Sequence, residues 1–220
     1  MNASVIQSIA VYALPVLFAI TLHEVAHGWA ARYFGDQTAA IAGRLSLNPL
    51  KHIDPIGTVA MPLLLYFMTN GAFVFGYAKP VPVSIMNLRN PKQHMLWVAF
   101  ARPGSNLLMA LFWALFLVLL AVLGVQEQFF LRMGESGIVV NFVMAALNLF
   151  PLPPLDGGRM LASVLPVTQA NLLLRLEPFG FFIVIALAAT HVLNYWMGPI
   201  IGVFQVVLGT LLMPFNFLLG

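Results

Sequence analysis

The sequence predicts an all-α polytopic membrane protein, with about five to six transmembrane helices, a re-entrant segment and a short β element. Three observations predict it. Of the 220 residues, 61% are hydrophobic and only 8% are Asp, Glu, Lys or Arg, against roughly 25% charged residues in an ordinary soluble domain. Mean hydropathy is +0.93. Four stretches, 1–23, 103–126, 136–155 and 178–220, carry no charged residue, and a membrane-spanning helix needs about 20 mostly apolar residues. This composition excludes a soluble globular enzyme, a disordered chain and a nucleic-acid binder, because a soluble surface needs far more charge.

The elements follow in order. The first helix is expected at 3–33, with Pro15 as a kink, the second at 94–124 and the third at 136–163. The last two are expected at 178–197 and 199–219, divided at Gly198-Pro199. Between the first two lies an exception. Residues 55–68 are apolar but short and interrupted by Pro62. Residues 72–84 are rich in aromatic and β-branched side chains and contain Pro80 and Pro82, which reads as an edge strand. Extended backbone at membrane depth requires surrounding protein or a wet cavity.

Charge placement sets the expected topology. If 54–69 dips in and returns, nine of the ten basic residues fall on one side, Arg132 being the exception. The positive-inside rule makes that side cytoplasmic. The N-terminus is then outside and the C-terminus inside, in a multi-pass protein of the plasma membrane. No Cys is present, so disulfides and thiolate ligands are absent. No Lys or Arg precedes Arg32, so no cleavable leader is evident. No repeat is visible, and residues 1–220 read as one membrane-embedded domain, with a core at about 1–165 and C-terminal helices at about 178–219.

The chemistry concentrates in two segments. His23-Glu24-Val25-Ala26-His27 places two imidazoles at i and i+4, on one helical face, where both can point at one metal. Glu24 lies about 100° round the helix from His23 and can reach a water beside the ion rather than the ion itself. In a chain of this composition the pattern arises by chance in roughly one sequence in several hundred. Ionisable groups inside a membrane are costly and read as functional by default. A hydrolytic zinc site needs a third protein ligand. Outside the first helix, the acidic residue flanked by long apolar runs is Asp156, in Asn148-Leu-Phe-Pro-Leu-Pro-Pro-Leu-Asp-Gly-Gly158. Pro151, Pro153 and Pro154 break the helix there, and Gly157 and Gly158 allow another backbone to approach closely.

Together the segments resemble the site-2 protease family of intramembrane metalloproteases, in its compact prokaryotic form without PDZ or CBS modules. The family's N-x-x-P-x-P-x-L-D-G motif is present in full from Asn148 to Gly157. The likeness extends to Gly43-Arg-Leu-Ser-Leu-Asn-Pro49 and His52-Ile-Asp-Pro-Ile-Gly57, and covers roughly residues 15–165. The G-P-x-x-N signature is matched in part by Ala101-Arg-Pro-Gly-Ser-Asn106, where Arg102 stands in place of the usual small residue.

The resemblance implies that His23, His27 and Asp156 hold one Zn²⁺ per chain and that Glu24 is the general base. It implies that Asn148 holds the substrate backbone. Asn106, Phe75 and Tyr77 are further candidates for substrate contact. The β element at 73–83 would pair with an unwound substrate. The expected activity is hydrolysis of peptide bonds in or near transmembrane segments of membrane proteins, near the cytoplasmic face. The partners are those segments and the lipid bilayer, and not nucleic acid. A divalent-cation transporter or metal-binding membrane protein using the same ligands is the alternative. Two histidines and a carboxylate also suit non-haem iron. His52, His94 and His191 read as structural or interfacial, and Asn141 and Asn194 as interhelical hydrogen-bonding residues.

Overall fold

A computed structural model of the chain describes residues 3–68 and 78–215. It is built from helices: α1 (Ala3–Tyr33), α2 (Thr38–Ile41), α3 (Met61–Met68), α4 (Pro91–Val122), α5 (Gln128–Asn148), α6 (Asp156–Val164), α7 (Val167–Leu174), α8 (Glu177–Ala189) and α9 (Val192–Leu212). Among the described residues, four stretches are long and apolar enough to cross a membrane: Ala10–Tyr33, Pro91–Val122, Gln128–Asn148 and Val192–Phe215. A fifth crossing would need α7 and α8 together, and they are bent by 64°. The chain is a multi-pass membrane protein.

The core is an antiparallel bundle of α1, α4 and α5. His23 meets Asn106 and His27 meets Val98, so α1 and α4 run in opposite directions. Asn106 meets Asn141, and Trp113 lies against Gly137, so α5 reverses again. The α4–α5 seam is close because two glycines face large side chains. A Cβ at Gly137 would stand 2.3 Å from the Trp113 ring, and one at Gly134 would stand 2.4 Å from Leu117. Without a hydrophobic driving force in lipid, such small-residue contacts and interhelical hydrogen bonds carry helix association. The opposite faces present Leu108, Phe112 and Leu119 outward, as lipid contact requires.

Helix α5 occupies 128–148 rather than the expected 136–163. It takes in Arg132 and Glu135, both good helix formers, and stops before Pro151. The C-terminal helices meet at Thr190–His191, not at Gly198-Pro199. His191 adopts φ 59°, and Pro199 lies inside α9. Helix α8 has thirteen residues, a rise of about 20 Å, short of a hydrocarbon core of about 30 Å. Its start is tied to α6 by Arg159–Glu177 at 2.8 Å. Just beyond its end, Trp196 Nε1 donates to Ala146 O at 3.2 Å. Glu177 at the start of α8 and Trp196 after it therefore both lie near the end of α5 and the start of α6. Phe204 then meets Phe142 at 5.7 Å, so α9 runs antiparallel to α5. This corrects the expected topology: the end of α9 lies away from the basic cluster, because α8 turns back instead of crossing.

The segment after α2 leaves and returns at one end of the bundle. Lys79 N donates to His52 O at 2.9 Å, and Arg44 donates to the carbonyls of both Lys51 and Lys79. Asp54 caps a wide π-helical turn at Pro55–Ala60, accepting from Ile56 N at 3.0 Å and Gly57 N at 2.7 Å. The turn and α3 total fourteen residues, about 21 Å of helix. These bonds set residues 52 and 79 side by side, while part of the expected re-entrant path lies outside the described residues. No β ladder occurs among the described residues. Residues 78–84 form no regular element, Ser84 being extended, and three of their N–H groups go to other acceptors: Lys79 to His52, Val81 to Glu24 and Ser84 to Asp36. Pro80 and Pro82 have no N–H to give. The remainder of the expected strand, with Phe75 and Tyr77, lies outside the described residues.

Asp36 anchors this strap. Its buried carboxylate accepts from Thr38 N at 3.0 Å, the Thr38 hydroxyl, Ser84 N at 2.7 Å and Asn87 Nδ2 at 3.1 Å. Burial alone would push its pKa up, but the hydrogen bonds from Thr38, Ser84 and Asn87 outweigh burial and hold it below the usual value. A depressed carboxylate stabilises the fold at pH above its unfolded value, and the stabilisation is lost as pH falls through the folded value. Asp36→Ala should therefore lower stability by about 2 kcal/mol at pH 7. The difference from wild type should shrink below about pH 4, as read by thermal melts in detergent across pH 7 to 3.

Candidate active site

Helix α1 supplies His23, Glu24 and His27 from one buried turn; their exposures are 6%, 7% and 1%. Helix α6 supplies Asp156 at its first position, 1% exposed. The two segments meet: His23 Nε2 lies 3.5 Å from Asp156 Oδ2. That oxygen is buried and has no hydrogen-bond partner.

The ring of each histidine is held by its other nitrogen. His27 Nδ1 lies 2.9 Å from the Val98 carbonyl, an acceptor only, so Nδ1 carries the proton. His23 Nδ1 lies 2.7 Å from Asn106 Oδ1. The amide orientation is fixed by a chain that ends on backbone. Asn141 Nδ2 donates to Gly137 O at 2.8 Å. Asn141 Oδ1 then accepts from Asn106 Nδ2 at 2.9 Å. Asn106 Oδ1 is left to accept from His23 Nδ1–H. In its neutral form each ring then keeps its Nε2 lone pair, the form in which imidazole binds metal.

Asp156 is aimed by a loop packed at its closest limit. A Cβ at Gly157 would stand 2.3 Å from Leu149 O, and one at Gly158 would stand 2.1 Å from Pro153 N. On the far side, a Cβ at Gly180 in α8 would stand 1.8 Å from Pro153 O. Only glycine permits these approaches. Between the carboxylates lies Arg102 of α4. Its NH1 donates to Asp156 Oδ1 at 3.0 Å and its NH2 to Glu24 Oε2 at 3.2 Å. Glu24 Oε2 also accepts from Val81 N at 2.7 Å.

The remaining candidates sit differently. Asn106, expected at the substrate, is 0% exposed and has both ends of its amide engaged by His23 and Asn141. Asn148 donates to Met144 O at 2.9 Å, one turn back on α5. His52 is buried, with Nε2 at 2.7 Å from Ser46 O. Two contributors escape motif reading: the Val81 N–H and the Val98 carbonyl are backbone groups with no residue signature. Asn141 is marked only by being an amide in a charge-free helix.

The chain is 34% identical over 197 residues, 86% of its length and 84% of the relative's, to the protein named "Putative zinc metalloprotease YwhC" from Bacillus subtilis (strain 168). The chain belongs to the site-2 protease family. Within this family it is also similar to proteins named "Putative zinc metalloprotease Rip2". Identity is 31% to the one from Mycolicibacterium smegmatis, over 82% of this chain and 67% of the relative. It is 28% to the one from Mycobacterium tuberculosis (strain H37Rv), over the same shares. No family model and no solved structure matches the chain.

The site-2 protease residues fit a zinc ion by donor chemistry. Two imidazoles have Nδ1 tied, which leaves Nε2 for a metal, and a carboxylate oxygen without a hydrogen-bond partner faces one of them. As placed, no three His, Asp or Glu side chains among the described residues are gathered tightly enough to hold an ion. Ligation therefore requires side-chain adjustment about this pair. The glycine contacts give a stability prediction. Gly180→Ala should cost about 1–3 kcal/mol through overpacking and lower bound zinc with it. Gly198→Ala, with nothing within 4 Å of its Cβ, should cost nothing. Thermal melts and metal analysis of the purified variants check both.

Proposed function

We propose that this protein is an intramembrane zinc metalloendopeptidase, with His23, His27 and Asp156 as ligands and Glu24 as general base. The approach of Asp156 Oδ2 to His23 Nε2, from a separate segment of chain, carries the reading. Zinc, when bound there, supplies Lewis-acid polarisation of the scissile carbonyl and a water acidified towards pKa about 7.

The protein's own residues do the remaining work. Glu24 Oε2 is held by Val81 and Arg102, which leaves Oε1 outside those bonds. Oε1 takes a proton from the attacking water as the new C–O bond forms. Glu24 then passes that proton to the leaving amine as the C–N bond breaks. The low exposure of all four groups keeps bulk water from competing in these contacts.

The substrates are transmembrane segments of other membrane proteins. An apolar cavity of about 680 Å³ lies among α1, α4, α5 and α9, lined by Ala26, Phe100, Gly104, Leu108, Phe142 and Phe204. Ala26 precedes His27 on α1, so an apolar peptide in this cavity lies beside the helix that carries the site, within the bilayer. The plasma membrane is the location we infer. Its cytoplasmic face is the side of the site, because Arg32, Arg44, Lys51, Lys79, Arg89 and Lys92 cluster at that end.

Glu24→Gln should retain zinc and lose cleavage of a labelled transmembrane peptide by about 10²–10⁴-fold. A chelator should abolish wild-type cleavage, and added zinc should restore it. Metal analysis and peptide cleavage in detergent or proteoliposomes measure this. Zinc flux across vesicles without cleavage would favour the transporter reading.

A further inference from the structure

We propose that Arg102 is a positioning residue that divides each of the two site carboxylates into a held oxygen and a free one. The inference rests on the protease reading above and adds a role that neither the H-E-x-x-H helix nor the Asp156 motif contains. Arg102 stands on α4, where the family signature has a small residue, and it joins groups from two other elements. Its NH1 holds Asp156 Oδ1 at 3.0 Å, and its NH2 holds Glu24 Oε2 at 3.2 Å. The side chain is 11% exposed, and its Nε is buried without a partner.

The geometry has a specific consequence for each carboxylate. With Oδ1 on the guanidinium, Asp156 turns Oδ2 alone towards His23. It can then serve as a one-oxygen ligand and not as a chelating pair. With Oε2 on Arg102 and the Val81 N–H, Glu24 offers Oε1 alone as the proton acceptor. A planar guanidinium holds two carboxylates in a fixed mutual orientation, which a single ammonium cannot do. Because Glu24 is on α1 and Asp156 on α6, one side chain fixes the distance between base and ligand.

Charge separates this role from two simpler ones. A cation beside a dication site opposes metal binding, so a residue kept only to hold metal would not be an arginine. A residue kept only to hold the fold would lose stability, metal and activity together when removed. The positioning role predicts that they part.

The test uses full-length protein in detergent, wild type beside Arg102→Gln and Arg102→Lys. Four quantities are read: zinc affinity against a competing chelator, the visible spectrum of the Co²⁺-substituted protein, kcat and KM on a transmembrane peptide, and melting temperature. Arg102→Gln should bind zinc as tightly as wild type or more tightly. Its kcat should fall about 10–100-fold, the usual loss for residues that orient metal ligands, with KM unchanged. Its Co²⁺ bands should shift, because Asp156 is released to chelate with both oxygens. Arg102→Lys should keep the charge yet fail to restore kcat. Wild-type kcat with an unchanged Co²⁺ spectrum in Arg102→Gln would overturn the proposal. So would parallel losses of zinc affinity, melting temperature and activity. If wild type binds Co²⁺ but cleaves nothing, the protease reading fails, and the Co²⁺ spectrum of Arg102→Gln still decides whether Arg102 orients Asp156.

Discussion

Glu24, Arg102 and Asp156 form a single buried ionic bridge, and the rest of the structure is arranged around it. Any one of these charges left alone in a membrane interior would cost several kcal/mol. Together, two carboxylates sharing one guanidinium leave a single net negative charge held across three elements, α1, α4 and α6. The bridge therefore selects the tertiary arrangement in which those helices meet. A sequence this apolar has few other features that discriminate one helix packing from another, since lipid solvates leucine as well as protein does. Polar contacts at α1–α4 and α4–α5 repeat the logic. His23–Asn106, His27–Val98 and Asn106–Asn141 are buried and span about two turns of α4 beside the site. Register between the three core helices is thus set at the depth of the site, and the site and the fold are stabilised by the same bonds.

The strap at 78–84 extends this layer towards the basic end. Its N–H groups reach Glu24 at one point and Asp36 at another. Gly28 lets it lie close, because a Cβ there would stand 2.9 Å from Val81 and 2.5 Å from Leu45. A strand paired in a ladder would spend those N–H groups on a neighbouring strand. Here they are satisfied by carboxylates of α1 and of the turn that follows it. One of these carboxylates is the proposed base and the other anchors the strap, so the strap links the two through its backbone.

What could be read from the sequence follows from the range of the physics involved. The H-E-x-x-H turn was legible because helical spacing places His23 and His27 on one face without tertiary information. Asp156 was legible because a carboxylate in a charge-free, proline-broken stretch has few other uses. That 78–84 stays out of any helix was legible from Pro80 and Pro82. The partners of this segment were not, because Glu24 and Asp36 approach it only through the fold. The start of α5 was missed because Arg132 and Glu135 look like loop residues by hydropathy while favouring helix by propensity. The turn at His191 was missed because a left-handed non-glycine residue has no local signature. That error carried the topology with it: a hydropathy profile registers 178–220 as two crossings, and only the contacts of Trp196 and Phe204 with α5 show that α8 turns back.

The turning back of α8 bears on the chemistry. Asp156 sits at the first position of α6, at the end of a loop of three prolines, and loops at membrane depth must be buried in protein. The buried wall comes from α8. Gly180 rests on the Pro153 carbonyl, and Arg159, one turn beyond Asp156, is paired to Glu177 at the start of the same helix. A helix that crossed the membrane would carry its length away from the loop. A short helix returning to the same end keeps both its start and its successor, through Trp196 on Ala146 and Phe150, against the segment that aims the carboxylate. The least motif-like part of the chain is in this way a support of its third proposed ligand.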